Sequence, residues 1–166
     1  MKNTMNKGFL FLVLAVLVAA GAFAQNKASD FEFDAGTGTI TKYTGTAKRV
    51  VFPARIDGKA VTAIGAGAFA GNQIIIEAVI PEGVTEIGDD AFNGTQIKSV
   101  TLPRSIKKIG SNAFRACGEL TTVTIPSGVT SIIFGNSGPF SVAFGGTDLD
   151  NASRKALTDR GYKGLF

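Results

Sequence analysis

The feature that most narrows what this chain can fold into is a repeat of 22 to 23 residues. Ile64-Gly65 with Ala68-Phe69 returns as Ile87-Gly88 with Ala91-Phe92, and again as Ile109-Gly110 with Ala113-Phe114. Apolar tetrads ending in proline run in step with them: Val50-Val51-Phe52-Pro53, Ala78-Val79-Ile80-Pro81, Val100-Thr101-Leu102-Pro103 and Val123-Thr124-Ile125-Pro126. These step by 28, 22 and 23 residues, and the long first step holds five extra ones, Ile56-Asp57-Gly58-Lys59-Ala60, which read as an inserted loop. A period in the low twenties belongs to solenoids. One such unit is too small to bury its own apolar side, so stacked neighbours must supply the core.

Within a unit, Leu120-x-x-Val123-x-Ile125 has the alternation of a short strand with Val123 and Ile125 on one face. Proline closes it, because a residue without an N–H cannot extend a ladder. Beyond the proline, apolar residues three apart (Val84 and Ile87, Ile106 and Ile109, Val129 and Ile132) can both point inward on a 3-10 or extended arc. Gly65, Gly88 and Gly110 are then expected to bend the backbone, and each Ala-Phe pair to plug the interior. A ring buries roughly 150–250 Å², so Phe69, Phe92 and Phe114 are expected to stack as a central source of stability.

The pattern Cys-x-x-Leu-x-x-Val-x-Ile-Pro-x-x-Val-x-x-Ile-Gly-x-x-Ala-Phe, spread over Thr95 to Phe114 and Cys117 to Ile132, resembles the BspA-like, treponemal-type leucine-rich repeat. The resemblance implies a right-handed solenoid with a parallel β-sheet on its concave side, display at a bacterial surface, and binding or adhesion to host proteins. It implies no catalytic residue. The fourth unit departs from the pattern: Ile-Gly is lost at Ile132-Ile133, and Ala143-Phe144 arrives late, after Phe134 to Phe140. The repeats are therefore assigned to residues 47–134.

The ends read differently. Lys2 and Lys7, the apolar run Phe9 to Ala20 and the small-x-small site Ala22-Phe23-Ala24 predict an export signal over residues 1–24, cleaved after Ala24. The run is shorter than the ~20 residues that span a bilayer, so no membrane span is expected after cleavage. Residues 25–46 are expected to form an N-terminal β-hairpin cap, with Phe31-Glu32-Phe33 and Thr39 to Tyr43 as its arms. Residues 135–166 are expected to form a C-terminal cap with a short helix, started by Asp150, faced by Ala152, Ala156 and Leu157, and stopped by Gly161. Terminal coils need such covers, because bare ends would show core and strand edges to water.

Composition removes several function classes. There is no histidine, which takes away the commonest general base and metal ligand. Seventeen basic and 13 acidic residues give +4, and leaving out Lys2 and Lys7 brings it to +2, too weak for nucleic acid. No cofactor or metal is expected. Gly36, Gly38, Gly65 and Gly67 precede no Gly-Lys-Ser/Thr and make no phosphate loop. Cys117, alone, can form no internal disulfide; it shares a repeat position with Asn72 and Thr95 and reads as a buried, inert thiol.

Charged residues that suggest ligand patches, Glu82, Glu86, Asp89 and Asp90 or Arg104, Lys107, Lys108 and Arg115, fall in register between units. Glu82 and Arg104, like Glu86 and Lys108, sit at matching distances from the proline and should lie side by side as ladder pairs. The outward strand positions form two rows, Glu77, Ser99, Thr122 and Val79, Thr101, Thr124. Such a surface suits another protein as partner, with the chain itself a monomer. The leading reading is thus a secreted, non-catalytic protein-binding module; the competing one is a structural envelope protein without a soluble partner.

Overall fold

A proline after each tetrad allows a strand of only a few residues, and three-residue strands recur at those positions. The computed structural model describes residues 25–135 and 143–166. The export signal read over residues 1–24 lies outside the described residues. In chain order the strands are β1 (Phe31–Asp34), β2 (Thr39–Tyr43), β3 (Arg49–Val51), β4 (Arg55–Ile56), β5 (Lys59–Ala60), β6 (Ala63–Ile64), β7 (Glu77–Val79), β8 (Glu86–Ile87), β9 (Ser99–Thr101), β10 (Lys108–Ile109), β11 (Thr122–Thr124) and β12 (Ile133–Phe134). One helix follows, α1 (Asn151–Thr158).

The strands wind into a solenoid of about four coils with two sheets. The proline-terminated strands pair in parallel in the order β11-β9-β7-β3. The arcs beyond each proline are extended, and make the second sheet, β1-β2-β6-β8-β10-β12. Its first two strands form the antiparallel hairpin read from Phe31 to Tyr43, and β2 then accepts β6 in parallel. The inserted segment after Pro53 is more ordered than a loop: β4 and β5 pair antiparallel around Asp57-Gly58. Both turn residues have positive φ, 49° and 75°, as a two-residue primed turn requires.

Between the sheets runs a column of rings. Tyr43, Phe69, Phe92, Phe114 and Phe144 stack with centroids 5.2, 4.8, 5.1 and 5.1 Å apart and planes tilted by no more than 22°. The backbone repeats at the same level: the Tyr43, Phe69, Phe92 and Phe114 N–H groups donate to the carbonyls of Ala68, Ala91, Ala113 and Ala143, at 2.7 to 3.0 Å. Tyr162 ends both series. Its ring meets Phe144 edge-on at 86°, and its hydroxyl accepts from the Phe144 N–H at 3.2 Å and donates to the Leu165 carbonyl.

Gly88 and Gly110 are required by close approach between coils. Neither has positive φ, and a Cβ on Gly88 would stand 2.6 Å from the Ala66 nitrogen, one on Gly110 2.5 Å from that of Asp89. The fourth coil keeps this glycine, which corrects the reading at Ile132-Ile133. Lys108 pairs with Ile133 and Ile109 with Phe134, so Phe134-Gly135 takes the Ile-Gly place after two extra residues. Ala143-Phe144 closes that coil as its plug; part of the Phe134 to Phe140 segment, residues 136–140, lies outside the described residues.

The outermost strands of the proline-terminated sheet are each met by one polar side chain. At β3 the Val51 N–H donates to Asn26 Oδ1 at 2.9 Å, and the Asn26 N–H donates to the Val51 carbonyl. At β11 the Val123 N–H donates to Ser153 Oγ at 2.9 Å. Asp150 caps α1 through the Ser153 N–H, as read. The face that α1 turns to the solenoid is shifted, however: Ser153 and Leu157 are buried, whereas Ala152 is exposed.

Two stability effects follow. Phe92→Ala should cost about 3–5 kcal/mol, because a fully buried ring between two others leaves a cavity the coils cannot close; a denaturant midpoint measures it, and a loss under about 1 kcal/mol would contradict the stack. The opposite sign is expected at Ala116. It holds φ 55° where Gly71, Gly94 and Gly146 stand in the other coils. Ala116→Gly should raise the unfolding free energy by about 0.5–1 kcal/mol, since the left-handed Cβ penalty exceeds glycine's extra unfolded-state freedom.

Candidate functional site

Alternation along each three-residue strand buries the central side chain and turns its two neighbours outward. Val50, Ala78, Val100 and Val123 are in the core. Register then aligns the outward neighbours: Glu77 pairs with Ser99 and Ser99 with Thr122, while Val79 pairs with Thr101 and Thr101 with Thr124. All six residues singled out in the sequence share this face, five of them half-buried and Thr124 exposed.

The face extends one strand further than the sequence rows. β3 adds Arg49 beside Glu77 and Val51 beside Val79. Arg49 and Glu77 form an ion pair at 3.1 Å, with both side chains about a third exposed (34% and 33%). The two were missed because the inserted hairpin lengthens the first step, although Val50-Val51-Phe52-Pro53 carried the signal. Hydroxyls and a paired charge make the surface nearly neutral. It can offer hydrogen bonds to a partner.

Three of the four suspected acidic residues, Glu82, Glu86 and Asp89, make contacts between coils. Lys108 Nζ lies 2.7 Å from Glu86 Oε1 across β10 and β8, and this carboxylate, by hydrogen bond and charge, raises the lysine pKa above its ordinary value. Glu82 differs from expectation: its carboxylate accepts from the Arg104 backbone N–H at 3.0 Å. Asp89 accepts from the Ser111 N–H and Asp90 from the Asn93 side chain. Among the described residues no cluster of His, Cys, Asp or Glu could hold a metal ion.

Cys117 is buried beneath the stack, its Sγ donating to the Phe92 carbonyl at 3.0 Å and standing 3.3 Å from Thr95 Oγ1. Burial pushes its thiol pKa up, against the thiolate that nucleophilic chemistry needs. Thr147 continues the position, donating to the Phe144 carbonyl at 2.7 Å.

The Glu86–Lys108 pair is nearly half exposed, so its strength should be small. A double-mutant cycle with Glu86→Gln and Lys108→Met should give a coupling of a few tenths to about 1 kcal/mol at low salt, fading in high salt. Coupling of zero at low salt would free both residues for another role.

A search of curated proteins finds no match. Among solved structures, a leucine rich cell surface protein from Faecalibacterium prausnitzii is 29% identical, with a TM-score of 0.52, over 78% of this chain and 48% of the other. This chain thus spans about half the length of that protein. A leucine-rich repeat protein from Bacteroides capillosus is 28% identical, with a TM-score of 0.54, over 73% of this chain and 93% of the other. One from Bacteroides ovatus is 27% identical, with a TM-score of 0.52, over 68% and 28%. The BspA type leucine rich repeat region matches residues 46–137 as six copies, a span wound here into four coils. With more than half of its length matched and its Ile-Gly, Ala-Phe and proline positions stacked coil on coil, the chain belongs to the BspA-type leucine-rich-repeat family.

Proposed function

We propose that this protein is an exported, surface-associated and non-catalytic module, monomeric on its own, that binds another protein through the outward face of the proline-terminated sheet. Glu77, Val79, Ser99, Thr101, Thr122 and Thr124 form that face, joined by Arg49 and Val51. The observation that carries the reading is their alignment: four strands present two continuous rows with no bulky or unpaired charged side chain to hold a partner off. A surface of hydroxyls and small apolar groups is one that another protein can pack against closely. The Faecalibacterium relative, a cell surface protein, supports placement outside the cell. Among the described residues no helix is long and apolar enough to cross a membrane, which fits release after cleavage at Ala24. Adhesion to host proteins is the specific form of this role that we favour; the second reading is a structural role in the envelope.

Affinity capture separates the two, with host extracellular proteins and envelope extract from the producing cell as baits. Specific host retention supports adhesion, and retention by envelope extract alone supports the structural role. Thr101→Lys with Thr122→Lys tests the face itself. These positions are diagonal, so the two cations avoid each other, and the fold should lose less than about 1 kcal/mol. Affinity for a captured partner should fall at least about tenfold. Lysines at the exposed Asn151, Ala152 and Thr158 of α1 should leave it unchanged. The opposite pattern would move the binding surface to the helix.

A further inference from the structure

Just before β7, β9 and β11, one buried residue sits between two outward ones. In the third coil these are Gln96 and Lys98 around Ile97; in the fourth, Glu119 and Thr121 around Leu120. The second coil breaks the rule with Ile74 and Ile76 around Ile75, and both flanking isoleucines are exposed, at 43% and 36%. The fold does not need them there, because every other coil places other residues at these positions. Two neighbouring exposed isoleucines are a small apolar patch of the kind that marks a contact surface.

The charges beside the patch are ordered by the backbone. The Ile76 N–H donates to the Lys48 carbonyl at 2.7 Å and the Lys98 N–H to the Ile76 carbonyl at 2.8 Å. Lys48, Ile76 and Lys98 therefore form one row across three coils, cation on either side of the isoleucine. At about 4.8 Å per coil the lysines stand about 10 Å apart. Lys48 makes no ion pair among the described residues. Lys98 meets Glu119 loosely, at 3.6 Å with both side chains about 60% exposed, so an incoming carboxylate can compete for it. Glu77 follows Ile76 in the chain, which makes the patch continuous with the sheet face.

We propose that Ile74 and Ile76 are the apolar anchor of a docking surface for an acidic protein segment: an apolar side chain to cover the isoleucines, and two carboxylates to meet Lys48 and Lys98. In a polyproline-II segment, with three residues per turn, carboxylates three residues apart share one side and lie about 9 Å apart, close to the separation of the lysines. This rests on the protein-binding reading above and names the chemistry of its partner. Apolar contact supplies affinity, and the flanking charges select the partner and orient it.

The probe is a labelled peptide, Gly-Glu-Leu-Ser-Glu-Gly, titrated into the purified protein while the amide signals of Ile76 and Lys98 are followed by NMR. Gly-Lys-Leu-Ser-Lys-Gly, Gly-Glu-Ser-Ser-Glu-Gly and phosphatidylglycerol vesicles serve as comparisons. The acidic apolar peptide should shift both signals saturably and bind at least about tenfold more tightly than either other peptide, weakening in high salt. Ile74→Gln with Ile76→Thr, which installs uncharged residues found at these places in the third and fourth coils, should keep the melting midpoint and lose about tenfold in affinity. Lys48→Glu with Lys98→Glu should turn the preference to the lysine peptide. Equal binding of the acidic and basic peptides, binding of vesicles alone, no saturable shift, or unchanged affinity in the isoleucine variant would each overturn the proposal. If Thr101→Lys with Thr122→Lys abolishes capture of a partner while the isoleucine variant retains it, the sheet face stands and the anchor falls. If only the isoleucine variant loses the peptide, the anchor stands without the sheet.

Discussion

Everything in this fold depends on one spacing. Parallel strands lie about 4.8 Å apart, and the rings from Tyr43 to Phe144 repeat at 4.8 to 5.2 Å. Aromatic pairs left to themselves favour offset or edge-on contacts over parallel faces. Here the hydrogen bonds from each phenylalanine N–H to the next alanine carbonyl impose the pitch, and the rings follow. Edge-on geometry reappears where the ladder stops, among Phe134, Phe144 and Tyr162.

That pitch requires close backbones, and the glycine column supplies them. At Gly88 and Gly110 even a methyl group would meet the neighbouring coil's main chain. Alanine before each phenylalanine follows the same logic: Ala91 and Ala113 are wholly buried, small enough to leave the interior to the rings. Small residues bring the coils together, and large ones then fill the space between the sheets. Polar groups that this packing would strand are bonded within the turns, as the Thr95 and Cys117 positions illustrate.

What could be read from the sequence was what repeats. The Ile-Gly, Ala-Phe and proline positions foretold the core column and both strand rows, and Asp150 announced its helix. The misses share a cause. Asp57-Gly58 is a hairpin turn by residue type, but it lies in an insertion, outside the period. Phe134-Gly135 arrives two residues late, and the period alone pointed to Ile132-Ile133. Asn26, Ser153 and Tyr162 occur once each and bond to residues 25, 30 and 18 positions away, so no pattern could reveal them. Likewise Ile74 and Ile76 matter as exceptions to the repeat, and their exposure becomes visible only when the coils are aligned.

The paired seals at Asn26 and Ser153 have a consequence for how such a molecule changes length. Each belongs to its own terminal segment, and each satisfies just the outermost strand it touches. An interior coil meets only coils, so duplication or loss of one 22- or 23-residue unit in the middle leaves both closures intact. Array size is then free to drift by unequal recombination while the ends are inherited as fixed parts. A repeat protein built this way can lengthen without redesigning its fold.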